Sequence, residues 1–385
     1  MKSTFPPGFF GQRRLGLAAL IAVTLLLPLA SGTALAVEDA LEAPATPSEL
    51  AAHSLLLDVT RAGDRLVAVG ERGHVLVSDD QGRTWRQAEV PVRVTLTAVD
   101  FPTPQRGWAV GHDGVVLHSE DGGETWRKQL DGHRLNAIVA RQTQALLADA
   151  EAGLADGRLA VSLDDLAFLA DDAQAFVEEG PTRPLLDVSF HDERSGMAVG
   201  AYGLILETDD GGANWRSRVG HLENAFGFHF YDIERLGEAV LVAGEAGSLH
   251  RSTDGGEHWE RLASPYEGTF FGLVADASRG RLIAHGLRGH VYRSADLGES
   301  WQKIETGSDA AIEGGTLLAD GDPLLVGQGG TLLHGEPGAP RYVLTNLADR
   351  RTYSAATTAG DGRVVIVGQG GIRRIDPAAP TAEVN

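Results

Sequence analysis

A repeat of about 41 residues constrains the fold of this 385-residue chain more than any other feature of its sequence. A pair of glycines spaced as Gly-x-x-Gly occurs seven times, and successive pairs begin 41, 89, 44, 42, 41 and 41 residues apart. A regular period of this length is typical of repeat architectures, in which each copy forms one small unit that packs on the next. The pairs begin at Gly70, Gly111, Gly200, Gly244, Gly286, Gly327 and Gly368.

Each copy predicts four short β-strands. An apolar run such as Leu66–Val69 precedes the glycine pair and a second run such as His74–Val77 follows it, which is a pattern that favours strands. Glycine reaches positive φ without steric cost, so the pair predicts a tight turn between the two runs. A third strand begins at a tryptophan, and a fourth, such as Thr97–Phe101, leads into the next copy. Seven sets of four strands predict an all-β fold, a β-propeller.

Five copies carry a polar turn motif of the form Ser-x-Asp-x-Gly-x-Thr-Trp, or a close variant of it. Ser and Asp side chains can bond to nearby backbone N–H groups and so hold a turn. The tryptophan supplies the largest apolar surface of the repeat. We therefore expect the motif to be structural. Its residues are Ser78, Asp80, Gly82, Trp85, Ser119, Asp121, Gly123, Trp126, Asp210, Gly212, Trp215, Asp254, Gly256, Trp259, Asp296, Gly298 and Trp301.

This motif is similar to the Asp-box, or bacterial neuraminidase repeat. The stretch Leu185–Trp215 further resembles the photosystem II stability/assembly factor family, and the resemblance covers roughly Leu55–Ile375. The sixth copy keeps only Tyr342 at the tryptophan position, and the seventh copy lacks the box. The resemblance implies a seven-bladed propeller of four-stranded blades. It also implies a binding or scaffold protein that helps to assemble or stabilise a membrane-associated protein complex.

The 89-residue spacing between the second and third glycine pairs holds one blade and about 45–48 further residues. Apolar residues recur at helical spacing on both sides of Gly157, and Ser162 with Asp165 forms a capping pattern. We therefore expect an α-helical hairpin at about 134–180, between blades two and three and on the face of the Gly-x-x-Gly turns. Because Asp149–Glu179 holds nine acids and one base, the hairpin is either a solvated surface or a docking element.

The first 36 residues predict a secretion signal. Arg13 and Arg14 precede the apolar run Leu15–Leu29, and an Ala-x-Ala cleavage site ends at Ala36. The run is too short to span a bilayer comfortably, and no later run of 18 apolar residues follows. We expect cleavage after Ala36, no membrane span in the mature chain, and a periplasmic or secreted location.

After the signal, we expect residues 37–52 to form an N-terminal arm and residues 53–385 to form the propeller. Pro377 and Pro380 lie where the outer strand of the seventh blade should form. Proline cannot donate a backbone hydrogen bond to a sheet. We therefore hypothesise that residues 41–50 supply that strand and close the ring.

The mature chain would be strongly acidic. The formal charge is −20 for the whole chain, and the signal holds three bases and no acid, so the mature charge is −20 − 3 = −23. This charge disfavours binding to nucleic acid or anionic lipid, and it fits a soluble protein or a surface for basic partners. The chain has no cysteine, and its acidic pairs lack the spacing of a calcium loop. We expect no metal, no cofactor and a monomer.

The alternative to a binding protein is a carbohydrate-active exo-glycosidase of the sialidase type. Sialidases need three convergent arginines and a tyrosine nucleophile with a carboxylate partner. The stretch Asp64–Val67 lacks the Arg-Ile-Pro motif that sialidases usually carry there, and no tyrosine or carboxylate pair stands out. We therefore expect a non-enzymatic protein.

The residues between the paired glycines are the candidate partner-binding site. A repeat fixes their backbone while leaving their side chains free to differ. The first candidates are Arg72, His112, Tyr202 and Arg288. We assign the aromatic residues that lead into the fourth and fifth blades to the core rather than to a ligand cage. These are Phe226, Phe228, Phe230, Tyr231, Phe270 and Phe271.

Overall fold

The computed structural model describes residues 39–155 and 157–380, and the predicted signal at 1–36 lies outside them. Within the described residues the chain forms 27 strands and two α-helices, and the strands make seven antiparallel sheets. In each sheet the strands follow one another in chain order, so each sheet is one repeat. The first strand of each sheet contacts the first strand of the next, and the seventh sheet contacts the first. The predicted seven-bladed propeller is therefore confirmed.

The first three blades include the two helices, which lie between blades two and three. Blade one contains β1 (Leu56–Ala62), β2 (Arg65–Gly70), β3 (Val75–Ser78) and β4 (Arg86–Gln87). Blade two contains β5 (Leu96–Asp100), β6 (Gly107–Gly111), β7 (Val116–Ser119) and β8 (Arg127–Leu130). The helices are α1 (Gly132–Glu151) and α2 (Leu163–Glu179). Blade three contains β9 (Leu185–Phe190), β10 (Gly196–Gly200), β11 (Ile205–Thr208) and β12 (Arg216–Ser217).

The other four blades follow without insertions. Blade four contains β13 (Phe230–Leu236), β14 (Ala239–Gly244), β15 (Leu249–Ser252) and β16 (Glu260–Arg261). Blade five contains β17 (Phe270–Asp276), β18 (Arg281–Gly286), β19 (Val291–Ser294) and β20 (Gln302–Ile304). Blade six contains β21 (Ile312–Leu317), β22 (Pro323–Gly327), β23 (Thr331–His334) and β24 (Val343–Asn346). Blade seven contains β25 (Tyr353–Thr358), β26 (Val364–Gly368) and β27 (Gly371–Ile375).

The Asp-box motif closes the loop after the third strand with its own side chains. In blade one, Ser78 Oγ accepts from the Gly82 N–H and donates to Asp80 Oδ1, both at 2.9 Å. The Asp80 carboxylate accepts from the Thr84 N–H at 2.8 Å and from Thr84 Oγ1 at 2.7 Å. Trp85 Nε1 donates to the Gly82 carbonyl at 3.2 Å. These bonds occupy the box side chains within their own turn.

The box carboxylates are held in their charged form by these bonds. Hydrogen bonds from Thr84, His258 and Ser300, respectively, lower the pKa of Asp80, Asp254 and Asp296 to about 2.

In a meander of four strands, the loop after the third strand lies at the opposite end from the loop after the second. The Asp-boxes and the Gly-x-x-Gly turns are therefore on opposite faces of the ring.

The helical hairpin lies between blades two and three, as the sequence predicts. Asp131 accepts from the Arg134 N–H at the start of α1, and Ser162 accepts from the Asp165 N–H at the start of α2. One apolar stripe of α1 joins the core between the two blades. The buried Asn136 donates to carbonyls at the end of α2, which ties the helices together. No helix among the described residues is long and apolar enough to cross a membrane.

The N-terminal arm does not supply an outer strand to the seventh blade, which has three strands among the described residues. Leu41 and Ala43 are buried, and Leu41 packs in the core shared by the first two blades. The Ala45 N–H donates to the Val90 carbonyl at 3.0 Å, and the Arg93 N–H donates to the Ala40 carbonyl at 2.7 Å. The hypothesis that residues 41–50 close the ring is therefore wrong, because their apolar side chains fill a gap beside blade one instead.

The ring closes by packing of blade seven on blade one. The buried Val365 and Val367 of β26 share a core with Leu66 of β2. Arg83 pairs with Asp361 at 3.0 Å across the same junction. The short turn Ala51–His53, where the arm meets the propeller, lies against β27.

The first strand of each blade is its inner strand, and carboxylates join the inner strands of neighbouring blades. Asp58 Oδ2 accepts from the Val99 N–H at 2.8 Å, and Asp100 Oδ2 accepts from the Phe190 N–H at 2.7 Å. Burial raises the pKa of both carboxyls to about 6. Glu234 Oε1 likewise accepts a backbone N–H of the inner strand of the next blade, and burial raises the pKa of Glu234 to about 7. An inner-strand carboxylate is thus the recurring contact between these blades.

We predict that the arm stabilises the propeller through Leu41. Leu41→Ala should lower the free energy of unfolding by about 3 kcal/mol, because it leaves a cavity in a packed core. Leu50→Ala is the matched control, since Leu50 lies in the same arm and is 69% exposed. It should change stability by less than about 0.5 kcal/mol. Urea unfolding followed by tryptophan fluorescence measures both, and equal effects would show that the arm is not packed as described.

We predict a pH-dependent stability difference at Glu234. The folded-state pKa is raised, so the folded protein keeps a proton that the unfolded chain has released, and stability is lost as pH rises through about 7. Glu234→Gln removes this loss, so its melting temperature relative to the parent should increase between pH 5 and pH 8. Glu238→Gln, at an exposed turn of the same blade, is the control. A Glu234→Gln difference that stays constant or decreases over this range would contradict the prediction.

Candidate partner-binding face

Each Gly-x-x-Gly turn is built so that both glycines are required. In blade one, a Cβ on Gly70 would lie 2.2 Å from the Leu55 carbonyl oxygen. Gly73 has a φ of 71°, and a Cβ there would lie 2.2 Å from the Val92 carbonyl oxygen. The second residue between the glycines, Arg72, has a left-handed φ of 58° and an exposed side chain. The turn therefore fixes its backbone and presents Arg72 to solvent, whereas Glu71 is half-buried and accepts from the Leu55 N–H.

The four predicted candidates lie on separate blades at this face. Arg72, His112, Tyr202 and Arg288 are all exposed, on blades one, two, three and five. Of these four, only Tyr202 has a ring contact among the described residues. The structure therefore places the candidates on one surface without bringing them into one cluster.

A β-bulge occurs at the same position of every inner strand, and sequence analysis missed it. The register of each inner strand against its neighbour shifts by one residue near the end that faces the Gly-x-x-Gly turns. A bulged residue leaves the ladder, and its side chain is redirected. We call these seven residues the bulge ring. They are Leu57, Thr97, Leu186, Tyr231, Phe271, Glu313 and Ser354.

The inner strands of all seven blades enclose a central channel of about 350 Å³. Six members of the bulge ring line it, and the seventh, Phe271, packs edge-on against Tyr231 with ring centroids 5.4 Å apart. The bulge ring therefore surrounds the mouth of the channel on the Gly-x-x-Gly face. Acidic side chains line the channel beyond the mouth, and they are Asp58, Asp100, Asp187, Asp232 and Glu234.

The expectation that the aromatic residues of blades four and five form core is correct for only some of them. Phe230 and Phe270 are buried. Tyr231 and Phe271, the next residues along, are half-buried at the mouth, and Phe226 is 85% exposed. The bulge explains why Tyr231 and Phe271 differ from Phe230 and Phe270, because one extra residue redirects the side chain that follows each buried phenylalanine. Phe226 lies in the loop before β13.

A line of aromatic contacts joins the helical hairpin to the channel mouth. The ring centroid of Phe176 in α2 lies 5.1 Å from that of Tyr202, and the centroids of Tyr202 and His229 are 4.9 Å apart. His229 in turn lies 6.2 Å from Tyr231. The guanidinium carbon of Arg183 lies 4.2 Å from the centre of the Phe176 ring, and the guanidinium donates to Asn136 Oδ1 at 2.8 Å. These contacts anchor this end of the hairpin. The hairpin, one predicted candidate and the mouth thus form one continuous surface.

Comparisons with known proteins place this architecture in a family. The family model described as "Photosynthesis system II assembly factor YCF48" matches residues 77–144 and 174–371, which is more than half of the chain. The stretch between the two matched segments falls within the helical hairpin. A solved structure, YCF48 from Cyanidioschyzon merolae, covers 86% of this chain and 97% of its own, with 15% identity and a TM-score of 0.57. That likeness is one of fold.

Two curated relatives match shorter segments. "Photosystem II assembly lipoprotein Ycf48" of Synechococcus sp. (strain CC9902) is 46% identical over 77 residues, 20% of this chain and 23% of that protein. "Photosystem II stability/assembly factor HCF136, chloroplastic" of Arabidopsis thaliana is 34% identical over 98 residues, 24% of each chain. The matches thus span about a quarter of these relatives' length. On the family match, this chain belongs to the photosynthesis system II assembly factor YCF48 family.

Proposed function

We propose that this chain is a non-enzymatic binding protein that acts as an accessory or assembly factor for a membrane-associated protein complex. Membership of a family described as assembly factors supports this role. The bulge ring is the structural observation that carries it. Seven backbone positions with the same register shift present six different residue types at one mouth, which is how a repeat scaffold carries recognition.

The partner is expected to be a protein that contacts the channel mouth and the adjoining hairpin. Tyr202 is the strongest of the four turn candidates, because it lies between Phe176 of the hairpin and His229 near the mouth. Arg72, His112 and Arg288 extend the same face toward other blades. Phe226, which is 85% exposed beside this line, is a further candidate contact. Exposed aromatic side chains are frequent energetic centres of protein interfaces.

The chain is further proposed to act as a monomer in the periplasm or outside the cell, after removal of residues 1–36. Its sequence supports this location, because residues 1–36 contain a basic flank, an apolar run and an Ala-x-Ala site. The alternative, a glycosidase, gains little support from the channel carboxylates. Both oxygens of Asp58 accept backbone N–H groups, from Val59 at 2.7 Å and Val99 at 2.8 Å, as expected of a structural contact.

Affinity capture from envelope extracts tests the proposal. Tagged mature chain should recover a membrane-associated protein, and the double variant Tyr202→Ala/Phe226→Ala should recover at least about tenfold less, since losing interface aromatics weakens binding. Val343→Ala is the matched control, because Val343 is 68% exposed on the outer strand β24 of blade six. Its capture should equal that of the parent.

Two results would contradict the proposed function. The first is equal recovery of the same proteins by the parent and the double variant, with unchanged melting temperatures. The second is turnover of a fluorogenic glycoside by the purified chain that disappears in Glu234→Gln.

A further inference from the structure

Two arginines of blade five face the junction with blade six. Arg281 begins β18, and Arg293 lies on β19 directly opposite Ile283 of β18. Because side chains alternate along a strand, Arg281, Ile283 and Arg293 share one face of the sheet. Ile283 packs in a core with Leu325 and Tyr342 of blade six. Both arginines therefore lie on the face that packs against blade six.

Four blades have an arginine five residues before the first glycine of the Gly-x-x-Gly pair. In blade one, Arg65 pairs with Asp79 at 2.7 Å and with Glu124 of blade two at 2.9 Å. The corresponding arginines of blades two and seven are also paired, Arg106 with Glu193 and Arg363 with Asp376. In blade five, Arg281 forms no ion pair among the described residues, and its Nη1 is shielded from solvent without a hydrogen-bond partner. Buried donors are usually bonded, so Arg281 differs from its three counterparts.

Arg281 is unpaired because apolar residues stand where blades one and two have carboxylates. The residue that directly follows the third strand is Asp79 in blade one and Ala295 in blade five. Two residues before the tryptophan position of the next blade, blade two has Glu124 and blade six has Pro340. The degenerate sixth box therefore leaves this guanidinium without an anion.

Arg293 lacks carboxylate partners for the same reason. The corresponding arginine of blade four, Arg251, pairs with Glu260 on the next strand and with Glu299 in the box of blade five. Gln302 takes the position of Glu260 opposite Arg293. Arg293 therefore donates only to neutral acceptors, the Gln302 Oε1 at 2.7 Å and a backbone carbonyl of blade six at 2.9 Å.

The two arginines line one small cleft. Its other wall is formed by Pro337 and Gly338, from the degenerate box turn of blade six, and by Tyr342. The cleft has a volume of about 20 Å³. Since a single water needs about 10–15 Å³, the cleft admits only one or two atoms of that size, such as the oxygens of a carboxylate.

The one carboxylate that lines the cleft is already engaged. Asp276 accepts from Ser278 Oγ at 2.6 Å and from Arg279 Nη1 at 3.1 Å. It forms no ion pair with Arg281 or Arg293 in the part of the chain that the structure describes. Two guanidinium groups thus face the cleft without an anion, in a chain whose formal charge is −20. The planar fork of a guanidinium matches the two oxygens of a carboxylate.

We propose that this cleft binds one carboxylate group, which Arg281 and Arg293 hold between their guanidinium groups. The cleft lies at the Asp-box end of the blades, on the opposite face from the channel mouth, and the site does not rest on the proposed function. An acidic side chain of a partner protein and a free small carboxylate both carry this group.

Nuclear magnetic resonance of the mature chain labelled with ¹⁵N-arginine tests the site. The side-chain Nε–H signals of Arg281 and Arg293 are assigned from the variants Arg281→Lys and Arg293→Lys. The probes are sodium acetate, sodium chloride at the same ionic strength, an acetylated Gly-Glu-Gly amide and its glutamine counterpart. Acetate or the glutamate peptide should shift both signals saturably, and chloride and the glutamine peptide should not. Saturation at a lower concentration of the glutamate peptide identifies an acidic side chain as the source, and the reverse order identifies a free carboxylate.

One variant supplies the carboxylate from within the chain. Ala295→Asp places an acid beside Arg281, as Asp79 lies beside Arg65, at an exposed position where the added side chain does not enter the core. It should weaken acetate binding at least about tenfold, because the new carboxylate occupies the site. Ala213→Asp is the matched control, since it adds the same charge at an exposed box position of blade three, and it should leave binding unchanged.

Three outcomes would overturn the inference. The first is that neither acetate nor the glutamate peptide shifts the two arginine signals. The second is that chloride or the glutamine peptide shifts them equally, and the third is that Ala295→Asp binds acetate as tightly as the parent. Envelope capture with the double variant Tyr202→Ala/Phe226→Ala reports on the opposite face, so the proposed function and this site succeed or fail independently.

Discussion

Each inner strand of the propeller has one edge that no other strand of its own sheet covers. The backbone N–H groups on such an edge need partners, and an unprotected edge invites pairing with another chain. At the four junctions from blade one to blade five, acidic side chains meet both demands. Asp58, Asp100 and Asp187 each accept an N–H from the inner strand of the next blade, at 2.7–2.8 Å. These three acids of the channel are therefore first of all contacts between consecutive blades.

The bulge that precedes these acids separates structural positions from recognition positions. Leu56 is fully buried between blades, whereas its neighbour Leu57 faces the channel mouth. The same division holds for Phe230 and Tyr231 in blade four. Because the bulge removes one residue from the ladder, that residue can differ from blade to blade without disturbing the core. A fold made of similar repeats can in this way carry an asymmetric site.

The repeat and the hairpin could be predicted from sequence because their signals are local. Glycine pairs and tryptophans recur at a fixed period, and the helices carry their own capping residues, Asp131 and Ser162. The position of Leu41 could not be predicted, because nothing in a short proline-containing segment specifies which distant core it joins. Tyr231 was assigned to the core because a single repeat does not reveal a bulge. Comparing Leu-Leu-Asp at 56–58 with Phe-Tyr-Asp at 230–232 provides the signal that could have shown it.

The register of the inner strands can be measured directly, because the chain contains no cysteine. Single cysteines at Leu57 and Leu186 should react with a small thiol reagent in the folded protein, since both positions face the channel mouth. Cysteines at the adjacent Leu56 and Leu185, both fully buried, should react only when the protein unfolds. A one-residue difference in register exchanges the two faces of a strand. Fast reaction at 56 and 185 with protection at 57 and 186 would contradict the bulge ring, and with it the site at the channel mouth.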